Sequence, residues 1–216
     1  VQCKKEDTVR YYIESDGKLF LIDRKGILDL PYEEEIPFPV DRIAPLATSR
    51  SVIFCVPRLE AHPHEWIGKD EIAAHSRVSP VVRETVHATM PRVVVEGVAL
   101  NKGSVLLVKG SRGLTKGRWS LPGGFLRFGE TPPQGLTREV KEELGVETQI
   151  EKLLEVKAKL GSQSRLHWVM IFYQISLFGA ISPDPDEIDE AQYLPISRAK
   201  DLVFDSLIRE VIVSLR

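Results

Sequence analysis

Three glutamates, Glu139, Glu142 and Glu143, crowd one short stretch, Arg138-Glu139-Val140-Lys141-Glu142-Glu143. On a helix they fall within an arc of about 100°, so three like charges would share one face. Mutual repulsion makes that arrangement unfavourable for stability alone. A divalent cation reverses the sign, and ligands that are all oxygen favour a hard ion such as Mg²⁺ or Mn²⁺. Leu136, Val140 and Leu144 occupy the neighbouring arc and would anchor the helix to a core.

The elements that must position these carboxylates have clear edges. Thr131 is suited to an N-cap, Pro132 to the first helical position, and Gln134 completes a Thr-x-x-Gln capping box. Gly145 ends the helix after Leu144. Ahead of it, Trp119-Ser120-Leu121-Pro122 leads into Gly123-Gly124, and a glycine-punctuated loop before that holds Arg112, Lys116 and Arg118. Together with Arg127, these cations are candidates for contacting substrate phosphate. Residues 92–101 and 104–109 read as a hairpin around Lys102-Gly103. Two long strand patterns, 147–160 and 166–178, follow the helix; a short strand at 192–195 and a helix at 203–215 close the chain.

Residues 124–146 match, at every fixed position, the Nudix box G-x5-E-x7-R-E-U-x-E-E-x-G-U, where U is a bulky aliphatic residue. Gly124, Glu130, Arg138, Glu139, Glu142, Glu143 and Gly145 are the fixed letters, and Val140 and Val146 fill the aliphatic slots. The chain from Arg92 onward thus resembles the Nudix hydrolases. That resemblance implies an α+β fold, an α/β/α sandwich with a mixed sheet, here preceded by a small β-rich N-terminal domain. It also implies a metal-dependent hydrolase of a nucleoside diphosphate linked to another group. Carried over to these positions, Glu139, Glu142, Glu143 and the carbonyl of Gly124 bind Mg²⁺ or Mn²⁺, and Glu142 or Glu143 takes the water proton. Arg138 orients the carboxylates, and Glu130 braces the loop. In many relatives an acid before the last strand completes the site; Glu187 and Glu190 are the candidates, with Glu190 ahead because it directly precedes the strand.

The substrate is less constrained. Residues 161–164 lack both the proline of ADP-ribose hydrolases and the tyrosine of diadenosine polyphosphate hydrolases. The downstream mark of NADH pyrophosphatases and the coenzyme A mark are missing too. Residues 116–125 and the tail Leu202-Val203-Phe204-Asp205-Ser206 resemble ADP-ribose hydrolases and their sugar-nucleotide relatives. ADP-ribose or a similar nucleotide sugar is therefore the leading expectation. Nucleoside triphosphates and dinucleotides are the alternative, and a non-catalytic nucleotide sensor is a third reading. Base stacking would fall to Trp119, Phe125, Phe128, Trp168 or Tyr173, although each is also a plausible core aromatic.

The totals fit this picture. The chain has 216 residues, a formal net charge of −2, and 43% hydrophobic residues, which gives no support for broad nucleic-acid or membrane binding. Two cysteines, Cys3 and Cys55, exclude a four-cysteine zinc ribbon and point to a reducing cytoplasm. The sequence opens on Val1, which suggests trimming or processing. Residues 1–90 are expected to form the β-rich domain, serving dimerisation or substrate recognition, and 91–216 the Nudix domain. In the first, Asp16-Gly17 marks a hairpin, 26–41 reads as an irregular connector whose Glu33, Glu34 and Glu35 are solvated, and short helices are expected at 70–75 and 80–88. His62 and His64 read as a proline-bearing loop rather than a metal site.

Overall fold

The computed structural model describes residues 8–61 and 63–215. They divide into two compact units, one of residues up to Pro91 plus Leu160–His167, the other of Arg92–Lys159 and the chain from Trp168.

Strand alternation builds the first unit. Strands β1 (Arg10–Ser15), β2 (Lys18–Phe20), β5 (Val40–Pro45), β6 (Val52–Pro57) and β7 (Ile67–Gly68) form a sheet in the order β5-β6-β1-β2-β7, with β1 parallel to β6. Successive residues of β1 point to opposite faces. Tyr12 thus joins a core with Leu19, Leu30, Val52, Ile72 and Val82, while Tyr11 and Ile13 join Cys55 on the other face. Helix α1 (Pro80–Thr89) starts at Ser79, whose Oγ accepts from the Val82 N–H and donates to Asp29 Oδ1 at 2.7 Å.

Two expectations for this unit are corrected. The connector is not irregular throughout: its β4 (Ile27–Asp29) pairs with β3 (Ile22–Arg24) just before it, and Glu35 is bound by Arg24, while Glu33, which also meets Arg42, and Glu34 are exposed as expected. The helix expected at 70–75 is only a 3₁₀ turn at Lys69–Glu71. The Arg83 guanidinium takes the carbonyls of Ile72, Ala73 and His75, acceptors that a longer helix would have used internally. His62 lies outside the described residues.

The second unit is an α/β/α sandwich. Strands β8 (Arg92–Asn101), β9 (Ser104–Gly110), β10 (Trp119–Ser120), β12 (Glu147–Leu160) and β13 (His167–Phe178) run in the order β10-β9-β8-β13-β12. Strand β11 (Gly123–Phe125) pairs with β8, and β14 (Ile188–Pro195) pairs with β9. The β8–β13 pairing is parallel and those of β8 with β9 and β11 are antiparallel, so the sheet is mixed. Alternation along β8 separates two cores. Val95 and Ala99 pack with Leu136, Val140 and Leu144 of α2 (Pro132–Leu144). Val94 and Val98 pack with Ala199 of α3 (Ile196–Leu202) and Leu207, Ile208 and Val211 of α4 (Ser206–Ser214). Helix α3 and the start of β14 at Ile188 go beyond the sequence expectation. No helix among the described residues is long and apolar enough to cross a membrane.

Candidate active site

Helix α2 is fixed at both ends. Gln134 Oε1 accepts from the Thr131 N–H at 2.9 Å and from its hydroxyl at 2.8 Å. Gly145 at the other end adopts φ +69°, a left-handed conformation that favours glycine, and its N–H closes on the Lys141 carbonyl. With Leu136, Val140 and Leu144 buried, the opposite face presents Arg138, Glu139 and Glu142.

Arg138 is the hub. Its Nε and Nη2 grip both oxygens of Glu130 at 2.6 and 2.9 Å, and Nη1 donates to Glu139 Oε1 at 2.7 Å and Glu142 Oε2 at 3.0 Å. Nη2 also reaches the Phe125 carbonyl at 3.1 Å, tying helix to loop. Glu130 in turn accepts from the Arg127 N–H, and Arg138 together with that bond holds its carboxyl down to about 2. Arg127 Nη2 lies 3.1 and 3.2 Å from the oxygens of Glu142.

Glu143 differs from its neighbours. It is 9% exposed, and Oε2 accepts from the Gly123 N–H at 2.9 Å. Burial pushes its carboxyl up to about 8; the Gly123 bond opposes the shift, and the charges of Glu139, Glu187 and Glu142 add to it. Burial also raises Glu139, against the pull of Arg138. Burial is thus the main cost of charge on Glu139 and Glu143, the neighbouring carboxylates add to it, and Arg138 offsets part of it at Glu139.

The predicted ligands are placed as follows. Gly124 lies against Glu139: a Cβ there would stand 2.6 Å from its Cδ and 2.7 and 2.9 Å from its oxygens. Glu139 and Glu142 are taken up by Arg138 and Arg127, and Glu143 is turned to Gly123, so among the described residues no three acidic, His or Cys side chains form a ready ligand cluster. The donor set itself fits a divalent cation. Carboxylates and a carbonyl are hard ligands, and Glu139 and Glu143 carry a burial penalty as anions that a cation would offset.

Around this centre, Glu190 is bonded to Lys109 at 3.0 Å on the β9–β14 ladder, whereas the charge of Glu187 is felt by both Glu139 and Glu143. Arg112 pairs with Glu187. Arg118 lies over the Phe204 ring at 5.4 Å, and Lys116 is exposed. Phe125 packs on Trp168 with centroids 5.8 Å apart, Trp119 lies beneath Lys109, Tyr173 packs against the core, and Phe128 is fully exposed.

Sequence reasoning passed over Glu96. It is 7% exposed, its Oε2 has no hydrogen-bond partner, and burial and the charges of Glu143, Asp205 and Glu139 raise it well above the carboxylate range. The available signal was a single acid inside Val93-Val94-Val95-Glu96-Gly97-Val98, an otherwise apolar strand.

A mixed-sheet sandwich with a glutamate helix behind a glycine loop defines the class, and comparison with known proteins agrees. The model of the NUDIX domain matches residues 90–213. The ADP-ribose pyrophosphatase of Methanocaldococcus jannaschii is 31% identical over 115 residues, 53% of this chain and 68% of that enzyme. Nudix hydrolase 2 of Arabidopsis thaliana is 34% identical over 111 residues, 48% of this chain but only 39% of the plant protein. The crystal structure of a MutT NUDIX hydrolase from Burkholderia pseudomallei superposes with a TM-score of 0.52 at 25% identity, over 59% of this chain and 99% of its own. The chain belongs to the NUDIX family and is a Nudix hydrolase.

Proposed function

We propose that the chain hydrolyses the pyrophosphate bond of a nucleoside diphosphate linked to a second group, with ADP-ribose or a similar nucleotide sugar as substrate and Mg²⁺ or Mn²⁺ as cofactor. The observation that carries this reading is the Arg138 hub, which ties Glu139 and Glu142 on α2 to Glu130 in the loop before it, beside Gly124. The substrate class draws support from the archaeal relative named an ADP-ribose pyrophosphatase.

Glu139, Glu142, Glu143 and the Gly124 carbonyl would hold the cation. When bound, it neutralises diphosphate oxygens and acidifies water. The chain's own groups do the rest. Arg138 and Glu130 keep the carboxylates from reorganising as charge develops. Arg127, which pairs with Glu142 in this structure, would be a phosphate contact if Glu142 served a cation instead, with Arg112, Lys116 and Arg118 as further candidates. Glu143, with Glu142 as alternate, accepts the proton of the attacking water. For the additional acid, Glu187 is preferred over Glu190 because its charge reaches the centre and Glu190 is engaged by Lys109.

The test is a hydrolysis screen with Mg²⁺ or Mn²⁺ over ADP-ribose, NADH, diadenosine polyphosphates and nucleoside triphosphates, read by product mass. ADP-ribose should yield AMP and ribose 5-phosphate, with one oxygen from labelled water in a product phosphate. EDTA or Glu143→Gln should abolish it. Absence of turnover on every substrate would overturn the proposal.

A further inference from the structure

The first unit holds a cavity of about 340 Å³ that the scheme above does not use. Leu46 and Val52, both buried in the core of that unit, give it an apolar floor, and Ser51, Arg50 and Arg165 line it as well. None of the described residues lining it is acidic, so the two guanidiniums set its sign. The hydroxyls of two further lining residues are committed. Ser49 donates to Glu84 from its N–H at 2.5 Å and its Oγ at 2.6 Å, and Thr48 Oγ1 donates to the Arg50 carbonyl at 2.8 Å. Recognition of a ligand therefore falls to the guanidiniums, each with five N–H donors.

Arg165 comes from a distant part of the sequence. It lies in the turn between β12 and β13, within the stretch Leu160–His167 that belongs to the first unit. The turn is closed by the Arg165 N–H on the Gly161 carbonyl at 2.8 Å and by the Gly161 N–H on the Leu166 carbonyl at 2.9 Å. Arg165 there has φ +55°, a left-handed conformation that glycine adopts at less cost. The other described non-glycine residues of this kind, Asp16, Lys25 and Lys102, each stand before a glycine in a two-residue hairpin turn; Arg165 stands before Leu166. Among the described residues, none takes a hydrogen bond or ion pair from its guanidinium. A long cation is thus kept where the backbone disfavours it, and it does not fasten the turn.

We propose that this cavity binds an organic phosphate monoester, with Arg50 and Arg165 on the phosphoryl group and Leu46 and Val52 beneath the carbon body. A phosphate monoester carries a charge of about −1.5 to −2 at neutral pH, which two guanidiniums balance, and their forks match its oxygens. The volume falls within the range of roughly 300–1,000 Å³ usual for small-molecule sites, which leaves room for more than the phosphoryl group. A ligand held this way joins residues 45–53 to the 160–167 stretch, the two separated parts of the first unit, and so stabilises that unit.

The experiment is isothermal calorimetry of AMP, inorganic phosphate and adenosine with the full chain in EDTA at low salt. Wild type, Arg165→Gln and Arg127→Gln are compared, with melting temperatures taken with and without AMP. Wild type should bind AMP about fivefold or more tightly than inorganic phosphate, and adenosine not at all. Arg165→Gln should weaken AMP by about tenfold or more and lose its effect on the melting temperature, while Arg127→Gln binds AMP as wild type does. Should Arg165→Gln fail to fold, Arg165→Gly, which takes the left-handed conformation without strain, serves the same comparison. Wild type that binds no AMP, or equal AMP affinity in wild type and the Arg165 variant, would overturn the proposal. So would AMP binding that is lost in Arg127→Gln, since the ligand would then sit at the catalytic centre. Equal affinity for AMP and inorganic phosphate would overturn the organic ligand. EDTA removes any cation and no turnover is read, so failure here leaves the hydrolytic reading standing, and the reverse holds too.

Discussion

Arg138 stands in for the charge that the glutamates need, and the site's response to mutation follows from that. One guanidinium bonds Glu130, Glu139, Glu142 and the Phe125 carbonyl, a fork that the point charge of lysine cannot reproduce. Arg138→Lys is expected to lower stability by about 2 kcal/mol in urea unfolding, since breaking a part-buried charge network leaves carboxylates uncompensated. Gly123→Ala and Gly124→Ala separate folding from function. At Gly123, φ is +146° and a Cβ would stand 2.0 Å from the Val95 carbonyl oxygen, so the alanine should cost about 3 kcal/mol or more. At Gly124 the atoms nearest a Cβ are the carboxylate end of Glu139, the far end of a flexible side chain that would shift at the expense of its Arg138 bond. Gly124→Ala should melt within about 1 kcal/mol of wild type yet lose about 100-fold in turnover through a displaced ligand. Glu143 gives the pH dependence. Its carboxyl titrates near 8 in the fold against 4.5 for a free side chain, so the folded state holds the proton more tightly. In EDTA, stability should therefore fall as pH rises from about 4.5 to 8, by at most about 1.4 kcal/mol per unit for this group. Urea midpoints across that range should show a shallower slope in Glu143→Gln.

At the scale of elements, α2 behaves as a preformed support, and its caps are part of the machinery. Gln134 accepts two bonds from Thr131, so Gln134→Ala should cost about 1 kcal/mol, read from urea midpoints, without altering the catalytic groups. This helix and its glutamates were legible in the sequence because the signals are local: Thr131, Pro132, Gln134 and Gly145 set its ends, and 3.6-residue spacing sets its faces. The elements that escaped depend on distant partners. The β3–β4 hairpin turns at Lys25 and Gly26, with Lys25 at φ +56°, a conformation its residue type does not advertise. Residues 70–75 carry helical letters, but Arg83 from α1 captures their carbonyls. Glu35 looked solvated because its partner, Arg24, comes from β3. The candidate ligands came from spacing; their engagement with Arg127 and Arg138 could not, since side-chain conformations respond to whatever positive charge is at hand. Glu96 was hidden because what marks it is burial on β8 and not a spacing pattern.

For the whole molecule, the two units have separate means of stability. The second has a core on each face of its sheet, one closed by α2 and the other by α3 and α4. A fragment of residues 92–216 should therefore melt cooperatively, as followed by circular dichroism or calorimetry. The first is assembled from two separated stretches of chain, because Leu160–His167 belongs with it. A fragment ending at Pro91 lacks that piece and should melt below the temperature at which the same unit unfolds in the full chain; adding a peptide of residues 160–167 should raise its midpoint. The discontinuity has a bearing on inheritance. A gene segment ending at residue 91 does not encode the whole of the first unit, so one recombination event cannot move it intact onto another hydrolase. Its remaining eight residues are spelled inside the catalytic reading frame, between β12 and β13. The two units must then be passed on together, and substitutions at that hairpin tip are constrained by the first unit even though the strands on either side are constrained by the second.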